Sequence, residues 1–314
     1  MQQQELLIEK KSIEKIQSSS SNNEKFVWKT SYSVITSFAV VVSIAAIVLI
    51  FPSVYQWSES LLNQLSPHFY LFVLGGFIAQ MIDGALGMAY GVSASTFLLS
   101  FGVPPAAASA SIHTSEIFTS GVSGLMHLKF KNVNKKLFRT LLLPGIAGAA
   151  LGAFVLSSLE EYNHILKPLI AVYTLYLGIL ILIKAIRGVK KKVKTKNIPP
   201  LATFGGFMDS IGGGGWGPIV SSTLIAGGRH PRYTVGSVNL AEFFVALASS
   251  ITFFAILGLS HIQIIIGLIL GGVIAAPIAA SLSKKLPVKT LMIMVGIIVI
   301  IVSVRILCLS IVNF

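Results

Sequence analysis

The chain has 314 residues, of which 54% are hydrophobic and only 11% are charged, with a formal net charge of +13. This composition excludes a water-soluble domain, which would lack the polar surface to cover itself, and it indicates a membrane protein. The positive charge argues against nucleic-acid binding, because the Lys and Arg residues fall in short segments between apolar runs, as they do in the cytoplasmic loops of membrane proteins.

Residues 1–32 are predicted to be a disordered cytoplasmic tail. They are polar and bear lysines, and a tail this long before the first apolar run is unlike a cleavable signal peptide. Residues 33–66 are predicted to hold an extra N-terminal transmembrane helix and an outer loop. Their apolar run, 33–51, follows Lys25 and Lys29 and precedes a stretch without lysine. Under the positive-inside rule this helix runs from the cytoplasm to the outside.

Residues 67–186 are predicted to form the first transmembrane repeat. It starts with a broken apolar segment, 67–100, followed by an unbroken one, 106–128, that ends at the basic break beginning at Lys129. An odd number of crossings must lie between the outer loop and this cytoplasmic break. If 106–128 crosses once, the broken segment starts and finishes on one side, yet it is too long for one span and too short for two. We therefore predict a re-entrant hairpin of two half-helices.

Residues 187–198 are predicted to be a basic cytoplasmic loop, and 199–314 the second transmembrane repeat. This repeat also starts with a broken segment, 199–226, and continues with three crossings. Because three is odd, the two repeats have opposite orientations, as in inverted-repeat transporters. The predicted fold is an all-α polytopic membrane protein of two inverted repeats, each a broken hairpin plus three transmembrane helices. Seven full crossings leave the N-terminus in the cytoplasm and the C-terminus outside. If each broken segment is instead two short complete helices, the count rises to eleven and the sidedness is unchanged.

Short matches between the halves support an internal duplication. Gly-Gly-Phe-Ile at 75–78 recurs as Gly-Gly-Phe-Met at 205–208, and each is followed by an aspartate and a glycine-rich break. The next element carries His-x-x-Glu at 113–116 in the first half and Asn-x-x-Glu at 239–242 in the second. An ordered series of this kind is more specific than a single match, so it predicts two related halves.

The two glycine-rich breaks are predicted to line a binding site for an anion. Four consecutive glycines at 212–215 are incompatible with ordinary helix in mid-membrane, where irregular backbone is tolerated only beside protein or a water-filled cavity. A half-helix that starts after such a break points its N–H groups and positive dipole end at the site. The alternative is that the glycines only permit tight helix packing. The predicted substrate-binding residues are Gln80, Gly84, Gly87, Met88, Tyr90, Gly91, Ser93, His113, Gly213, Gly214, Gly215, Trp216 and Asn239.

Four carboxyl groups are predicted to lie within the hydrocarbon and to couple transport to protons. A charged group near the centre of a membrane helix costs roughly 2.5 to 3.5 kcal/mol, so such residues are functional candidates. A carboxyl group beside an anion site must be protonated when the anion binds, and burial favours the neutral acid. The alternative is that Asp83 and Glu116 cap half-helices or hold His113 in a structural bond. The predicted proton-coupling residues are Asp83, Glu116, Asp209 and Glu242.

No metal or cofactor is predicted. The chain has a single cysteine, Cys308, so a disulfide within the chain is excluded and a thiolate metal cluster is not expected.

The motifs around the first break resemble those of a known family. The pattern Gln-x-x-Asp-Gly-x-x-Gly-Met-x-Tyr-Gly at 80–91 is followed by His-x-x-Glu at 113–116, Ser-Gly at 123–124 and Pro-Gly at 144–145. In these residues the chain resembles the TauE/SafE family of sulfite exporters and related permeases, and the likeness extends through the second half. The resemblance implies a carrier for sulfite or for small organosulfur anions such as sulfonates, with duplicated halves around a central site.

The predicted function is secondary transport of a small sulfur-containing anion across the cell membrane, with sulfite export coupled to protons. An anion channel and an uptake permease for organosulfonates remain open as alternatives, because they would share nearly all of these features. The expected partners are the small anion and membrane lipid, without nucleic acid, and the oligomeric state is left open.

An enzyme is not expected. The Gly-x-Ser-Gly pattern of rhomboid-like serine proteases occurs at 121–124, and such a protease needs its serine and histidine at one depth in the membrane. The predicted topology places Ser123 near the inner face and His261 near the outer face.

Overall fold

The first broken segment folds as two helices, α1 (Phe69–Leu86) and α2 (Tyr90–Ser100), joined by a short break. Three long helices follow: α3 (Pro105–Lys129), α4 (Lys135–Ser158) and α5 (Asn163–Arg187), the last preceded by a 3₁₀ turn at Glu160–Tyr162. The computed structural model describes residues 67–86, 88–187, 197–258, 261–282 and 288–312. The predicted tail, the predicted extra helix and most of the predicted basic loop lie outside these residues.

The second broken segment has the same order but a different second arm. Its first arm, α6 (Ile198–Gly212), ends at Gly213, whose φ of 65° lies in the left-handed region that favours glycine. Its second arm is a π-helical turn (Trp216–Ser221) continued by the short helix α7 (Ser222–Ala226). Three long helices complete this half: α8 (Pro231–Leu257), α9 (Ile262–Leu282) and α10 (Val288–Val312).

The sequence explains where the helices around the breaks begin. α3 and α8 both start with a proline, Pro105 and Pro231, at a position where the missing N–H costs no hydrogen bond. α4 starts after Asn134, whose side-chain oxygen accepts a hydrogen bond from the N–H of Leu137 at 3.0 Å. These signals fix the N-terminal ends of α3, α4 and α8.

The outer surface of the helices is apolar, as contact with lipid requires. Leu143 and Phe154 on α4, and Ile301 on α10, are examples of large exposed hydrophobic side chains. Within the described residues, four helical stretches are long and apolar enough to cross a membrane: Lys135–Ser158, Glu160–Ile186, Pro231–Leu257 and Met292–Ile311. The chain is thus an all-helical, multi-pass membrane protein in the part described, while the count of seven crossings stays a prediction.

Helix packing links the first half of the chain to the second. α1 packs on α9 and α6 packs on α4, so the first arm of each broken segment contacts the other half, and α3 pairs with α8 and α5 with α10. Glycines permit the close approach, because a Cβ at Gly76 would overlap the backbone of Leu268 and a Cβ at Gly148 would overlap the backbone of Thr203. This packing brings the two breaks together between the halves. The inversion of one half relative to the other stays a prediction.

Candidate functional site

The two breaks border a central cavity of about 230 Å³. Helices α1, α2 and α3 contribute to its wall from the first half, and the second break and α8 contribute from the second. Many of the lining side chains are small or polar, so the cavity suits a small hydrophilic ligand. The predicted site residues in the lining are Gln80, Asp83, Met88, Tyr90, Gly91, Glu116, Asp209, Gly214, Gly215, Asn239 and Glu242.

The other predicted site residues lie elsewhere. Ser93, His113, Gly213 and Trp216 are buried but do not belong to the lining. Gly84 lies in α1, but its surroundings are outside what the structure describes, and Gly87 is outside the described residues altogether.

Trp216 anchors the second break to the protein interior. Its backbone N–H donates to Oδ1 of Asp209 at 2.8 Å, and its indole N–H donates to the carbonyl of Val238 at 3.2 Å. The fully buried ring lies in a hydrophobic cluster with Leu141 and Val245. Both of its hydrogen-bonding groups are therefore engaged within the protein, which assigns Trp216 to the scaffold of the site.

The breaks touch each other through glycine backbone. A Cβ at Gly91 would lie only 2.6 Å from the carbonyl oxygen of Gly213 and from Cα of Gly214, a separation that real Cβ atoms do not show. Tyr173 of α5 donates a hydrogen bond to the carbonyl of Gly214 at 3.1 Å and holds this crossing in place. Gly91 and Gly214 also line the cavity. The two explanations for the glycines, tight helix packing and lining of a site, therefore apply to the same residues.

Asp83 and Asp209 perform the same task at the two breaks. Oδ1 of Asp83 accepts hydrogen bonds from the N–H groups of Ala89 at 3.0 Å and Tyr90 at 3.3 Å, at the start of α2. Oδ1 of Asp209 accepts from the N–H of Trp216, at the start of the π-helical turn. Each carboxyl group thus caps the helix that follows its own break. For Asp83 this agrees with the capping alternative, and it engages N–H groups that an anion would otherwise use.

His113 connects the two halves of the chain. Its Nε2 lies 3.2 Å from Oδ2 of Asp209, and its Nδ1 lies 2.8 Å from the carbonyl oxygen of Ser109, one turn earlier on α3. The hydroxyl of Ser109 donates to the carbonyl of Ser210, so a second bond joins the same two elements. The imidazole of His113 and the carboxyl group of Asp209 are both buried. The structural bond expected for His113 therefore exists, but its carboxyl partner is Asp209 and neither Asp83 nor Glu116.

Two polar groups in the cavity wall have no hydrogen-bond partner among the described residues. They are Oε2 of Glu116 and Oε1 of Gln80, whose residues are 5% and 8% exposed. A buried polar atom left unpaired costs about 1–3 kcal/mol, so native proteins keep few of them. Since both atoms belong to residues that line the cavity, they are available to a proton, water or ligand inside it.

One face of α3 extends the cavity beyond the predicted residues. Thr119, Ser120, Ser123 and His127 line the wall after Glu116, and Ser123 accepts a hydrogen bond from the side-chain amide of Asn239 at 2.9 Å. None of these four residues is among the predicted site residues. The sequence does indicate that they belong to the site, because they follow Glu116 at the three- and four-residue spacings that place side chains on one helical face.

The cavity lining extends toward the C-terminal end of α3 and the start of α8, since it includes His127 and Val235. Arg232 donates to the carbonyl of Phe130 at 3.4 Å and to the side chain of Asn132, and the N–H of Asn134 donates to the hydroxyl of Ser237 at 2.8 Å. These bonds hold the two helix ends together. We refer to the cationic residues near these ends as the basic rim: Lys129, Lys131, Lys135, Lys136, Arg229 and Arg232.

The charge of the cavity wall is opposite to that of the rim. Among the described lining residues there are four carboxyl groups and no Lys or Arg, whereas the segments 129–139 and 229–237 of the rim hold no Asp or Glu. An anion is therefore attracted to the rim but meets acidic groups inside. Binding of an anion in the cavity requires those groups to be neutral or already paired with N–H groups.

His113, Glu116 and Asp209 also offer ligand atoms within 4.8 Å of one another, a separation at which a metal ion could be held. The direct contact between Nε2 of His113 and Oδ2 of Asp209 has the length of a hydrogen bond and engages the atoms that a metal would need. We therefore describe His113 and Asp209 as a hydrogen-bonded pair with Glu116 beside it.

Comparison with known proteins finds a matching family and a similar protein. The family described as Sulfite exporter TauE/SafE matches residues 72–306. The Bacillus subtilis (strain 168) protein described as probable membrane transporter protein YtnM is 40% identical over 245 residues, which cover 75% of this chain and 81% of that protein. No solved structure matches the chain.

Proposed function

The chain belongs to the sulfite exporter TauE/SafE family, and we propose that it is a secondary transporter that exports sulfite or a related small sulfur-containing anion. Membrane transport follows from the family and from the relative named a probable membrane transporter. The observation that carries the choice of an anion is the basic rim at the end of a small polar cavity. A cluster of cationic groups beside such a cavity raises the local concentration of anions.

The carboxyl groups of the cavity favour coupling to protons. Glu116 and Glu242 lie in the wall that an anion would contact, and each must lose its negative charge for an anion to bind there without repulsion. A proton is the simplest means of removing that charge. In this proposal protons move together with changes in anion occupancy, and the substrate contacts come from Gln80, Tyr90 and Asn239 beside the glycine backbone of the breaks.

The arrangement of helices supports two inverted repeats around the site. The pairing of α1 with α9 is matched by the pairing of α6 with α4, and each break is capped by its own aspartate. Such exchanged packing is what two related halves would produce. We propose that the basic rim faces the cytoplasm, where the positive-inside rule places it, so that the N-terminus is cytoplasmic and the C-terminus is outside.

The test is sulfite flux in proteoliposomes with and without an imposed pH gradient, with sulfate and a short sulfonate as competitors. The matched variants lie on α8: Asn239→Ala removes an amide from the cavity wall, and Ile251→Ala changes an exposed apolar residue on the same helix. Saturable, gradient-driven sulfite flux that falls in Asn239→Ala and persists in Ile251→Ala supports the proposal.

Other outcomes separate the alternatives. A folded protein without sulfite flux contradicts the substrate assignment, and flux of the sulfonate alone identifies an organosulfonate permease. Flux that neither saturates nor responds to the gradient identifies an anion channel.

A further inference from the structure

The two halves of the chain differ at one position of the site. Asp83 and Asp209 cap their breaks in the same way, but only Asp209 meets an imidazole, that of His113. The residue at the corresponding position of the second half is Asn239, and its amide donates to Ser123. An amide cannot gain or lose a proton near neutral pH, whereas an imidazole can. Among the described residues the site thus contains one imidazole–carboxyl pair, where two identical halves would contain two or none.

The hydrogen bonds of His113 determine where a proton must lie. Nδ1 of His113 lies 2.8 Å from the carbonyl oxygen of Ser109 and 3.3 Å from the hydroxyl of the same residue. Because a carbonyl only accepts hydrogen bonds and the hydroxyl donates to Ser210, we assign the hydrogen to Nδ1. If Nε2 carried none, its lone pair would face Oδ2 of Asp209 at 3.2 Å, and two acceptors at that distance repel each other. The contact is therefore attractive only when one proton lies between Nε2 and Oδ2, on either atom.

The groups around the pair come from several helices. Asp83 from the first break, Glu116 from α3 and Glu242 from α8 are the carboxyl groups of the adjoining cavity wall, and no Lys or Arg is among the described lining residues. Tyr90 of α2 is bonded to Ser115, and Tyr173 of α5 is bonded to Gly214. The ring of Phe253 on α8 lies 6.2 Å from the His113 ring and is fully buried. The groups that surround the pair are therefore further carboxyl groups, two tyrosine hydroxyls that are engaged elsewhere, and one apolar ring.

We propose that the proton shared by His113 and Asp209 is a removable link between the two halves of the transporter, and that its loss releases the conformation described here. This inference rests on the proposed function for its role in transport. When the proton leaves Nε2 or Oδ2, an attractive contact between α3 and the second break becomes a repulsive one. Only an N–H or O–H bond is broken and remade, so no other reactant is needed.

Glu116 is the group through which the proton reaches the cavity. One of its carboxyl oxygens lies within 4.8 Å of the ligand atoms of both His113 and Asp209, and Oε2 has no partner among the described residues. A proton that moves from the pair to Glu116 neutralises a carboxylate in the wall that the anion contacts. Loss of the shared proton and binding of the anion are thereby coupled through Glu116. Since the second half has Asn239 in place of a histidine, we expect one such link per chain.

The test measures the conformation directly and needs no transported substrate. Val235 lines the cavity near the basic rim, so Val235→Cys in a Cys308→Ser background reports access to the cavity through its rate of labelling by a water-soluble thiol reagent. Lys129→Cys in the same background is the reference, because its exposed position corrects for the effect of pH on thiol reactivity. The full-length protein is labelled in detergent micelles over a range of pH, with a chelator present.

Relative to the reference, labelling of the Val235→Cys protein is expected to slow by at least about fivefold as the pH is raised, the lower end of an ordinary coupling between two sites. Adding His113→Asn or Asp209→Asn should remove this pH dependence, and His127→Asn, which alters the histidine of the cavity lining, should keep it. The Asp209→Asn variant retains an oxygen that can accept the hydrogen bond from the N–H of Trp216. The helix cap is therefore preserved, and loss of the pH dependence is not explained by misfolding.

Three results would overturn the link. They are a pH dependence that survives in both His113→Asn and Asp209→Asn, its absence from the parent protein, and its appearance only when the chelator is omitted, which would indicate a metal ion between the same atoms. Failure of sulfite flux with an intact, His113-dependent pH response would instead refute the substrate and leave the link standing.

Discussion

The backbones of Gly91 and Gly214 are in contact where the first break crosses the second. A Cβ on Gly214 would overlap the backbone between Gly91 and Val92, and a Cβ on Gly91 would lie 2.6 Å from Cα of Gly214. Neither neighbour can move aside, because both are main chain. The shape of the cavity wall at this crossing therefore requires that both residues lack a side chain.

Gly214→Ala is expected to destabilise the protein and to suppress transport. Overpacking of a well-packed interior costs about 1–3 kcal/mol, and contact with backbone leaves no flexible side chain to absorb it. The control is Gly272→Ala on α9, where an added Cβ would meet nothing nearer than 3.9 Å. Thermal unfolding of the purified proteins in detergent should show a lower midpoint for Gly214→Ala alone. Equal midpoints for the two variants would contradict the close contact.

Glu116→Gln is expected to reduce gradient-driven anion flux by about tenfold or more, which corresponds to about 1.4 kcal/mol of activation free energy. The amide preserves the size of the side chain but cannot exchange a proton. Glu161→Gln, an exposed residue of the 3₁₀ turn before α5, is the matched control and should behave as the parent protein. The measurement is initial flux in proteoliposomes at several gradients. A Glu116→Gln protein with an unchanged response to the gradient would remove Glu116 from the proton pathway.

Asp83 is expected to act mainly as a helix cap. Asp83→Ala leaves the N–H groups of Ala89 and Tyr90 without their acceptor and should lower the free energy of unfolding by about 0.5–2 kcal/mol. Asp83→Asn keeps an acceptor oxygen and should lose less than half as much. The comparison uses thermal or chemical unfolding followed by tryptophan fluorescence. If the two variants are equally destabilised, or if Asp83→Asn alone abolishes the response to a pH gradient, charge rather than capping is the role of Asp83.

Neutralising part of the basic rim is expected to raise the KM for the anion with little change in the maximal rate. Lys129→Gln combined with Lys135→Gln removes two exposed charges from the approach to the cavity, while Lys167→Gln removes a charge near the first turn of α5. Long-range attraction is screened over about 8–10 Å at physiological salt, so the difference between the parent and the rim variant should shrink as salt is added. A rise in KM that is independent of salt, or an equal rise in Lys167→Gln, would contradict steering by the rim.

The broken segments were predictable from the sequence because their signals are local. Four consecutive glycines at 212–215 and the matching aspartates Asp83 and Asp209 identified the breaks, and the structure places helix ends at both. Most of the predicted lining followed from this. The face of α3 that carries Thr119 and Ser123 could have been predicted from helical spacing as well.

The contacts across the two halves could not be predicted in this way. His113 and Asp209 are 96 residues apart, and their meeting depends on how α3 packs beside the second break. Trp216 was predicted to contact the substrate because it stands in the glycine-rich break, yet its ring lies in the hydrophobic cluster of Leu141 and Val245. Local composition locates a break, but the direction of a large side chain within it is decided by the tertiary packing around it.

The pairing of α1 with α9 also sets an order for biosynthesis. Gly76 reaches its final contact only after Leu268 has left the ribosome, roughly 190 residues later, which takes about 10–40 s at ordinary rates of synthesis. During that interval the nascent chain holds a broken, partly polar segment in the membrane without its permanent neighbour. The insertion machinery or lipid must cover this segment until α9 is synthesised. Truncation of the chain before α9 would leave the segment uncovered, so that quality-control proteases can recognise the product.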